Sequence, residues 1–438
     1  MPGASGEDMT MPYFHSVTLE REKCKGCTTC LKRCPTEAIR IRDGKASIIG
    51  ERCIDCGECI RVCPYHAKVA LTDPLAAINN FPYKIALPAP TLYGQFKNLS
   101  NIDRVLAGLL QMGFDDVFEV ARAAEIVSQA IQRKLASKDC PRPLISSACP
   151  AIVRLIQVRF PELIDNIVDV KSPMEVAALE AKRLYSKKMG VPQDQIGCFF
   201  ITPCAAKMTA VRAPIGHQLS AVDGCLSILE VYGLLSTQIR KPLESKIEHK
   251  AGAFGVGWAN SGGEALAVGI DNSLAVDGIE HVIRVIEEIE NNKLGDLDFF
   301  EGLSCTGGCV GGPLVFEYSY VAKTRIRKLM ERLDKTRPEQ RVTDINELPI
   351  YFDTPIQPKN VMQLDDDIRV ALQKMDQIDR IERALPGIDC GSCGSPTCRA
   401  LAEDIVRGNS RELDCVFRLK ERVRTLAQQM IELSDGNF

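Results

Sequence analysis

Sixteen of the nineteen cysteines in this 438-residue chain fall into three spaced sets. The first is an internal repeat: Cys24-x2-Cys27-x2-Cys30-x3-Cys34-Pro35 recurs as Cys53-x2-Cys56-x2-Cys59-x3-Cys63-Pro64. The second is dispersed, with Cys149 in Ser147-Ala148-Cys149-Pro150, Cys204 in Thr202-Pro203-Cys204-Ala205-Ala206-Lys207, and a pair in Cys305-Thr-Gly-Gly-Cys309-Val-Gly-Gly-Pro313. The third is Cys390-x2-Cys393-x4-Cys398-x16-Cys415. Residues 1–16 have neither a basic segment nor an apolar core of the secretory kind. Abundant cysteine without such a signal argues for metal ligation in a reducing compartment over a disulfide framework, so a cytoplasmic protein is expected. Soft thiolates favour iron–sulfur clusters over hard-metal sites.

The rest of the composition excludes several classes. A net charge of −3 gives no field favouring nucleic acid or an anionic membrane. The longest apolar stretch, 252–270, is interrupted by Asn260, Ser261 and Glu264, so no membrane span is expected. The sequence has no Walker A loop, no G-x-G-x-x-G followed by an acidic residue and no H-E-x-x-H, which leaves nucleotide and flavin sites unsupported. None of the five histidines has a metal-site partner three or four residues on.

The repeat is the bacterial two-cluster ferredoxin run, in which the fourth cysteine of each half ligates the other cluster. One 4Fe-4S cluster is therefore expected on Cys24, Cys27, Cys30 and Cys63, the other on Cys53, Cys56, Cys59 and Cys34. Short strands near 16–20, 39–42, 46–49 and 69–72 would close this N-terminal ferredoxin-like α+β domain, placed at 1–80. From 81 to 334 short apolar segments (84–88, 116–119, 144–146, 198–201) alternate with helical stretches (101–111, 121–136, 150–158, 172–188, 227–235). That alternation predicts a central α/β domain with largely parallel sheets and its ligands at strand ends. A charged helix over 320–334 leads into a proline-punctuated linker, 335–364.

A small, helical C-terminal domain is placed at 365–420. Its four thiols suit a further 4Fe-4S cluster, with zinc as the alternative since it also accepts four thiolates. A helix over 396–407, ended by Gly408-Asn409, would return the chain so that Cys415 meets the other three. In the closing helix, placed at 421–438 as a separate segment, Val416, Leu419, Val423, Leu426, Met430 and Leu433 recur at 3-4-3-4-3 spacing. That is a seam for a homodimer or for packing within the chain.

The three short motifs of the middle set, in this order, resemble the active-site motifs of the FeFe-hydrogenase family. The resemblance runs over about 240 residues, including Gly113-Phe-Asp-Asp-Val-Phe-Glu119, Ser172-Pro173 and Val222-Asp223. It implies that Cys149, Cys204, Cys305 and Cys309 hold a 4Fe-4S cubane, giving four cubanes in all. Cys309 would also bridge to a diiron subcluster carrying CO, cyanide and a bridging dithiolate. Lys207 would contact a cyanide and the dithiolate, with Pro90, Thr91 and Pro203 beside the cofactor. Gly307, Gly308, Gly311 and Gly312 would let backbone approach it. The implied activity is reversible conversion of H2 to protons and electrons, served by a redox partner such as ferredoxin or a signalling protein and by maturation enzymes.

Departures from the family pattern bear on rate. Ala148 stands where the family carries a proton-delivering cysteine, Thr202 replaces the usual methionine, and Ala210 replaces a proton-path glutamate. With the third cysteine unit, these point to the sensory branch and low turnover. A high-turnover hydrogenase and an Fe–S assembly protein without the diiron unit are the alternatives. Glu264 is expected as a solvated loop carboxylate, with a replacement proton route as the other reading; Cys140 is the second relay candidate. Cys140, Cys198 and Cys225 are otherwise expected as small buried hydrophobes.

Overall fold

Alternating side-chain direction along short apolar strands decides the layering. The computed structural model describes residues 14–99, 101–137, 140–241, 247–341 and 348–434. Strands β5 (Tyr83–Pro88), β6 (Asp116–Val117), β8 (Ile196–Thr202) and β9 (Gly224–Ser227) form one sheet in the order β6-β5-β8-β9, every pair parallel. Ile85, Leu87, Cys198 and Phe200 point into one core with the helices Val120–Leu135 and Pro173–Met189. Ala86, Phe199 and Ile201 point into another with Asp103–Gln111, Ile228–Gln238 and Ser319–Met330. Both faces are covered, as a parallel sheet requires.

A second parallel sheet, in the order β10-β11-β7, consists of β7 (Leu144–Ile145), β10 (Ser273–Asp277) and β11 (Phe299–Leu303). It divides in the same way, with Leu144 and Phe299 in the first core. Ile145 and Phe300 face a third core with the helices Pro150–Arg159 and Ile279–Glu290.

The N-terminal unit holds two antiparallel pairs. One joins β1 (Val17–Leu19) to β4 (Lys68–Ala70); the other is the hairpin of β2 (Ile39–Arg42) and β3 (Lys45–Ile48). Asp43 and Gly44 turn that hairpin, both at positive φ (49° and 69°), the conformation a tight two-residue turn demands. Buried Asp55 ties the unit to the central one, accepting from the backbone N–H of Ser16 and Val17 (3.0 Å each) and from Thr209 Oγ1 (2.9 Å).

Within the expected linker, residues 348–352 are held against the α/β unit. Leu348 and Ile350 are buried. Lys171 N–H donates to Ile350 C=O (2.8 Å) and Phe352 N–H to Asp169 C=O (2.9 Å), so the segment is clipped onto the α/β unit. The helix expected over 320–334 ends at Met330. In the C-terminal unit the helices Ile368–Ala384 and Cys398–Val406 pack together, and the last one runs Val416–Ser434, directly from Cys415 and not from 421. None of its described residues is buried, so its apolar seam is left exposed by the described residues. The first thirteen residues of the expected N-terminal domain and 435–438 of the expected final helix lie outside the described residues. No described helix is long and apolar enough to cross a membrane.

Candidate metal centre

The carboxyl ends of β5, β7, β8 and β11 open on one cavity, the usual ligand position for parallel sheets. Cys149, Cys204, Cys305 and Cys309 all line it, with Lys207, Ala148, Pro90, Thr91 and Pro203. Cys149 and Cys204 each stand immediately before a helix, Pro150–Arg159 and Ala205–Arg212, whose positive ends favour negative charge. Gly308 and Gly312 line the cavity and also lie against neighbouring protein backbone. A Cβ on Gly308 would meet Ser261 N at 2.4 Å, and on Gly312 Pro203 O at 2.2 Å. These positions admit neighbouring protein backbone.

Burial pushes the Cys149 thiol up, and Cys204 up to about 12, with the other cavity cysteines adding to the shift. Cys309 is pushed well above the ordinary thiol value by burial and by Cys305, Cys149 and Cys204. Lys207 acts in the opposite sense on Cys149, Cys204 and Cys309. Four thiolates here need compensating positive charge, which metal ions supply. The cavity measures about 90 Å³, against the ~10–15 Å³ one water needs. Thr91 Oγ1, Ser304 Oγ and Glu264 Oε1 are buried around it without a protein partner. The donor set and these orphaned polar atoms fit an all-thiolate cluster with a polar group beside it.

Glu264 is not a solvated loop carboxylate. It lies in the helix Gly263–Val268, 2% exposed, on the cavity wall. The Gly262 turn rotates it inward, and no local pattern in the sequence announces that. Ser146 Oγ donates to Glu264 Oε2 (2.7 Å) and accepts from Ala148 N–H (3.1 Å). Burial first, then the charge of Glu301, pushes the Glu264 carboxyl up to about 8. Glu301 also lines the cavity and accepts from Gly262 N–H and Ala265 N–H (2.9 Å each); burial raises it to about 7. Sequence reading missed both Ser146 and Glu301, whose roles depend on partners over a hundred and some forty residues away.

Cys140 lies elsewhere, on a second cavity with Lys134, Asp165, Asp169 and Asp353, which corrects its place as a relay candidate. Cys198 and Cys225 are fully buried in β8 and β9. Ala210 is half-buried beside a small separate cavity with His217 and Glu175.

The repeat's thiols meet crosswise. Cys30 feels Cys27, Cys63 and Cys24, while Cys56 feels Cys59, Cys34 and Cys53. Cys56 also lines the central cavity. In the C-terminal unit Cys393 feels Cys415 and Cys390, and Cys398 packs in the same apolar cluster as Cys393 and Cys415.

Three family models match the chain. "Iron only hydrogenase large subunit, C-terminal domain" covers residues 83–273 and 262–313, a 4Fe-4S dicluster domain covers 16–64, and an Fe-S cluster family covers 385–417. The Clostridium pasteurianum iron hydrogenase 1 is 24% identical over 78% of this chain and 73% of its own length. The periplasmic [Fe] hydrogenase large subunit of Nitratidesulfovibrio vulgaris is 30% identical over 44% of this chain; the matched stretch spans only 51% of that protein. The Meyerozyma guilliermondii cytosolic Fe-S cluster assembly factor NAR1 is 32% identical over 27% of this chain and 23% of its own. A solved [FeFe]-hydrogenase structure superposes with a TM-score of 0.53 at 15% identity, over 66% of this chain and 98% of that one, which shows a shared α/β fold.

Proposed function

The chain belongs to the iron-only hydrogenase large-subunit family, and from that membership we propose that it binds H2 and converts it reversibly to protons and electrons. We place it in the sensory branch, turning over slowly in a cytoplasmic regulatory role. The observation that carries this reading is one cavity in which four thiols and Lys207 converge while a methyl group occupies position 148.

In this reading Cys149, Cys204, Cys305 and Cys309 would hold the cubane, and Cys309 would also serve a diiron unit with CO, cyanide and dithiolate ligands. When bound, that unit supplies the metal at which H2 is cleaved heterolytically. Lys207 keeps a positive charge beside the anionic ligands. Pro90, Thr91 and Pro203 shape the wall, and Val120, Ala124, Met174, Phe200 and Trp258 exclude bulk water. Ala148 can neither accept nor donate a proton. Glu264, holding a proton near neutral pH and hydrogen-bonded to Ser146, takes the relay role. Clusters held by the two ferredoxin thiol sets and by the C-terminal set would supply the electron path to a ferredoxin or a signalling protein.

Infrared spectra after anaerobic maturation test this. CO and cyanide bands are expected; their absence would favour the second reading, an Fe–S assembly or carrier protein, which the stretch shared with the NAR1 factor supports.

A further inference from the structure

Arg61 belongs to the N-terminal unit but spends its side chain on the central one. It ends the short helix Glu58–Arg61, two residues after Cys59 and two before Cys63. Its Nη1 donates to Cys305 Sγ at 3.5 Å and to Gly311 C=O at 3.0 Å. Its Nε and Nη2 both donate to Glu58 Oε2, at 3.2 and 2.7 Å. The same helix is pressed onto the loop after Cys309, since a Cβ on Gly57 would meet Pro313 Cγ at 2.5 Å. A guanidinium does not lose its proton in a protein, so Arg61 is a permanent cation here.

From this geometry we infer that Arg61 is a positioning residue that sets the electron affinity of the central cubane through its hydrogen bond to Cys305, and so sets how electrons divide between that cubane and the adjoining ferredoxin cluster. The inference rests on the proposal that the four central thiols hold a cubane. Each transfer moves one electron: the ferredoxin cluster is oxidised, the central cubane is reduced, and no bond forms or breaks. Reduction adds negative charge to the sulfur ligands. A charged N–H donor on one of those sulfurs therefore stabilises the reduced state and raises the potential. Lys207 addresses Cys149, Cys204 and Cys309 from within the cavity. Arg61 addresses Cys305 from the side on which the electron arrives. Glu58 opposes it: as the counter-charge of Arg61 it moderates the positive field at the sulfur.

The test is a redox titration, followed by electron paramagnetic resonance, of the full chain reconstituted with iron and sulfide alone. Arg61→Gln should lower the central midpoint enough to shift the electron partition about tenfold, or ~59 mV for one electron. The cluster on the Cys24 set should not move. Arg61→Lys keeps the charge but loses the fork and should fall between. Glu58→Gln frees Arg61 of its counter-charge and should shift the central midpoint the other way. If Arg61→Gln does not fold, the opposed signs of Arg61→Lys and Glu58→Gln carry the test. An unmoved central midpoint at full iron content, or shifts of one sign in both Arg61 and Glu58 variants, overturns the inference. A wild-type chain without a central cubane signal overturns the proposal beneath it, and the inference with it.

Discussion

Arg40 and Asp404 form a buried two-pronged ion pair across 364 residues of sequence, with Nε–Oδ2 at 2.6 Å and Nη2–Oδ1 at 3.0 Å. Each is 4% exposed. Arg42 reaches the same carboxylate (3.1 Å), Ser395 Oγ donates to it (2.7 Å), and Arg52 pairs with Glu403 nearby. Ile41 N–H donates to Gly394 C=O (2.9 Å), and Lys32 Nζ to Pro396 C=O (2.8 Å). The C-terminal cysteine loop is thus seated on β2 and on the helix that carries Cys30.

Arg40→Met should release this seat. Leaving one partner of a buried pair uncompensated costs about 3–5 kcal/mol, and Arg42 should hold the loss to the lower end. Hydrogen exchange should quicken over residues 390–415 while the central sheets stay protected. Unchanged exchange there would show that the clamp is dispensable.

The pH dependence has a sign. The folded chain keeps a proton on Glu264 up to about pH 8, which the unfolded chain loses near ~4.3. This contribution to stability is complete below the lower value, declines between the two, and is lost as pH rises through the upper one. Glu301 titrates with it, so the pair shares the transition. Glu264→Gln, permanently neutral, should flatten the fall in thermal midpoint between pH 5 and 8 and should slow H2 turnover. A wild-type midpoint that rises over that range would contradict the burial argument.

Ala148 predicts slow turnover with a native cofactor spectrum, since it is not a ligand. A missing relay group costs on the order of 10²–10⁴-fold in rate. The measurement is the wild-type rate with an unlimited electron partner; a rate equal to that of prototypical FeFe-hydrogenases would show that the route through Ser146 and Glu264 is fully efficient. Ala148→Cys should raise the rate only if the remainder of the family's path, interrupted at Ala210, is not needed.

Cys393→Ser should remove about one cubane of iron and leave H2 binding intact. Zinc in anaerobically prepared wild-type protein would refute the iron assignment of the C-terminal thiols.

The last helix should pair two copies of the chain through the seam from Val416 to Leu433, all of it exposed. Leu426→Lys puts a charge into that dry seam and should lower the solution mass to the monomer. A wild type that is already monomeric would leave the seam to another use.

What was legible follows from the range of the interactions. Cysteine spacing is local, so the crossed company of Cys34 and Cys63 could be read before any fold was known. The short apolar runs of β5 and β8 marked buried parallel strands. Of the sheet of β7, β10 and β11 only β7 was marked in this way; β10 and β11 owe their places to parallel pairing with each other and with β7. The burial of Glu264, the clip at Ile350 and the reach of Arg61 to Cys305 were illegible for one reason. Each is decided by a partner brought near by the tertiary fold; Glu264 and Arg61 by type suggest solvated surface, and Ile350 stands in a proline-punctuated stretch with no strand or helix pattern around it.

The Arg40–Asp404 pair also sets when folding can be completed. The N-terminal unit leaves the ribosome hundreds of residues before position 404 exists, with the guanidinium groups of Arg40 and Arg52 still facing water. Its partner surface is made only 364 residues after Arg40. A chain cut short of Glu403 and Asp404 therefore leaves Arg40 and Arg52 without these carboxylate partners. Closing that seat therefore waits for a stretch of chain made long after the first thiol sets.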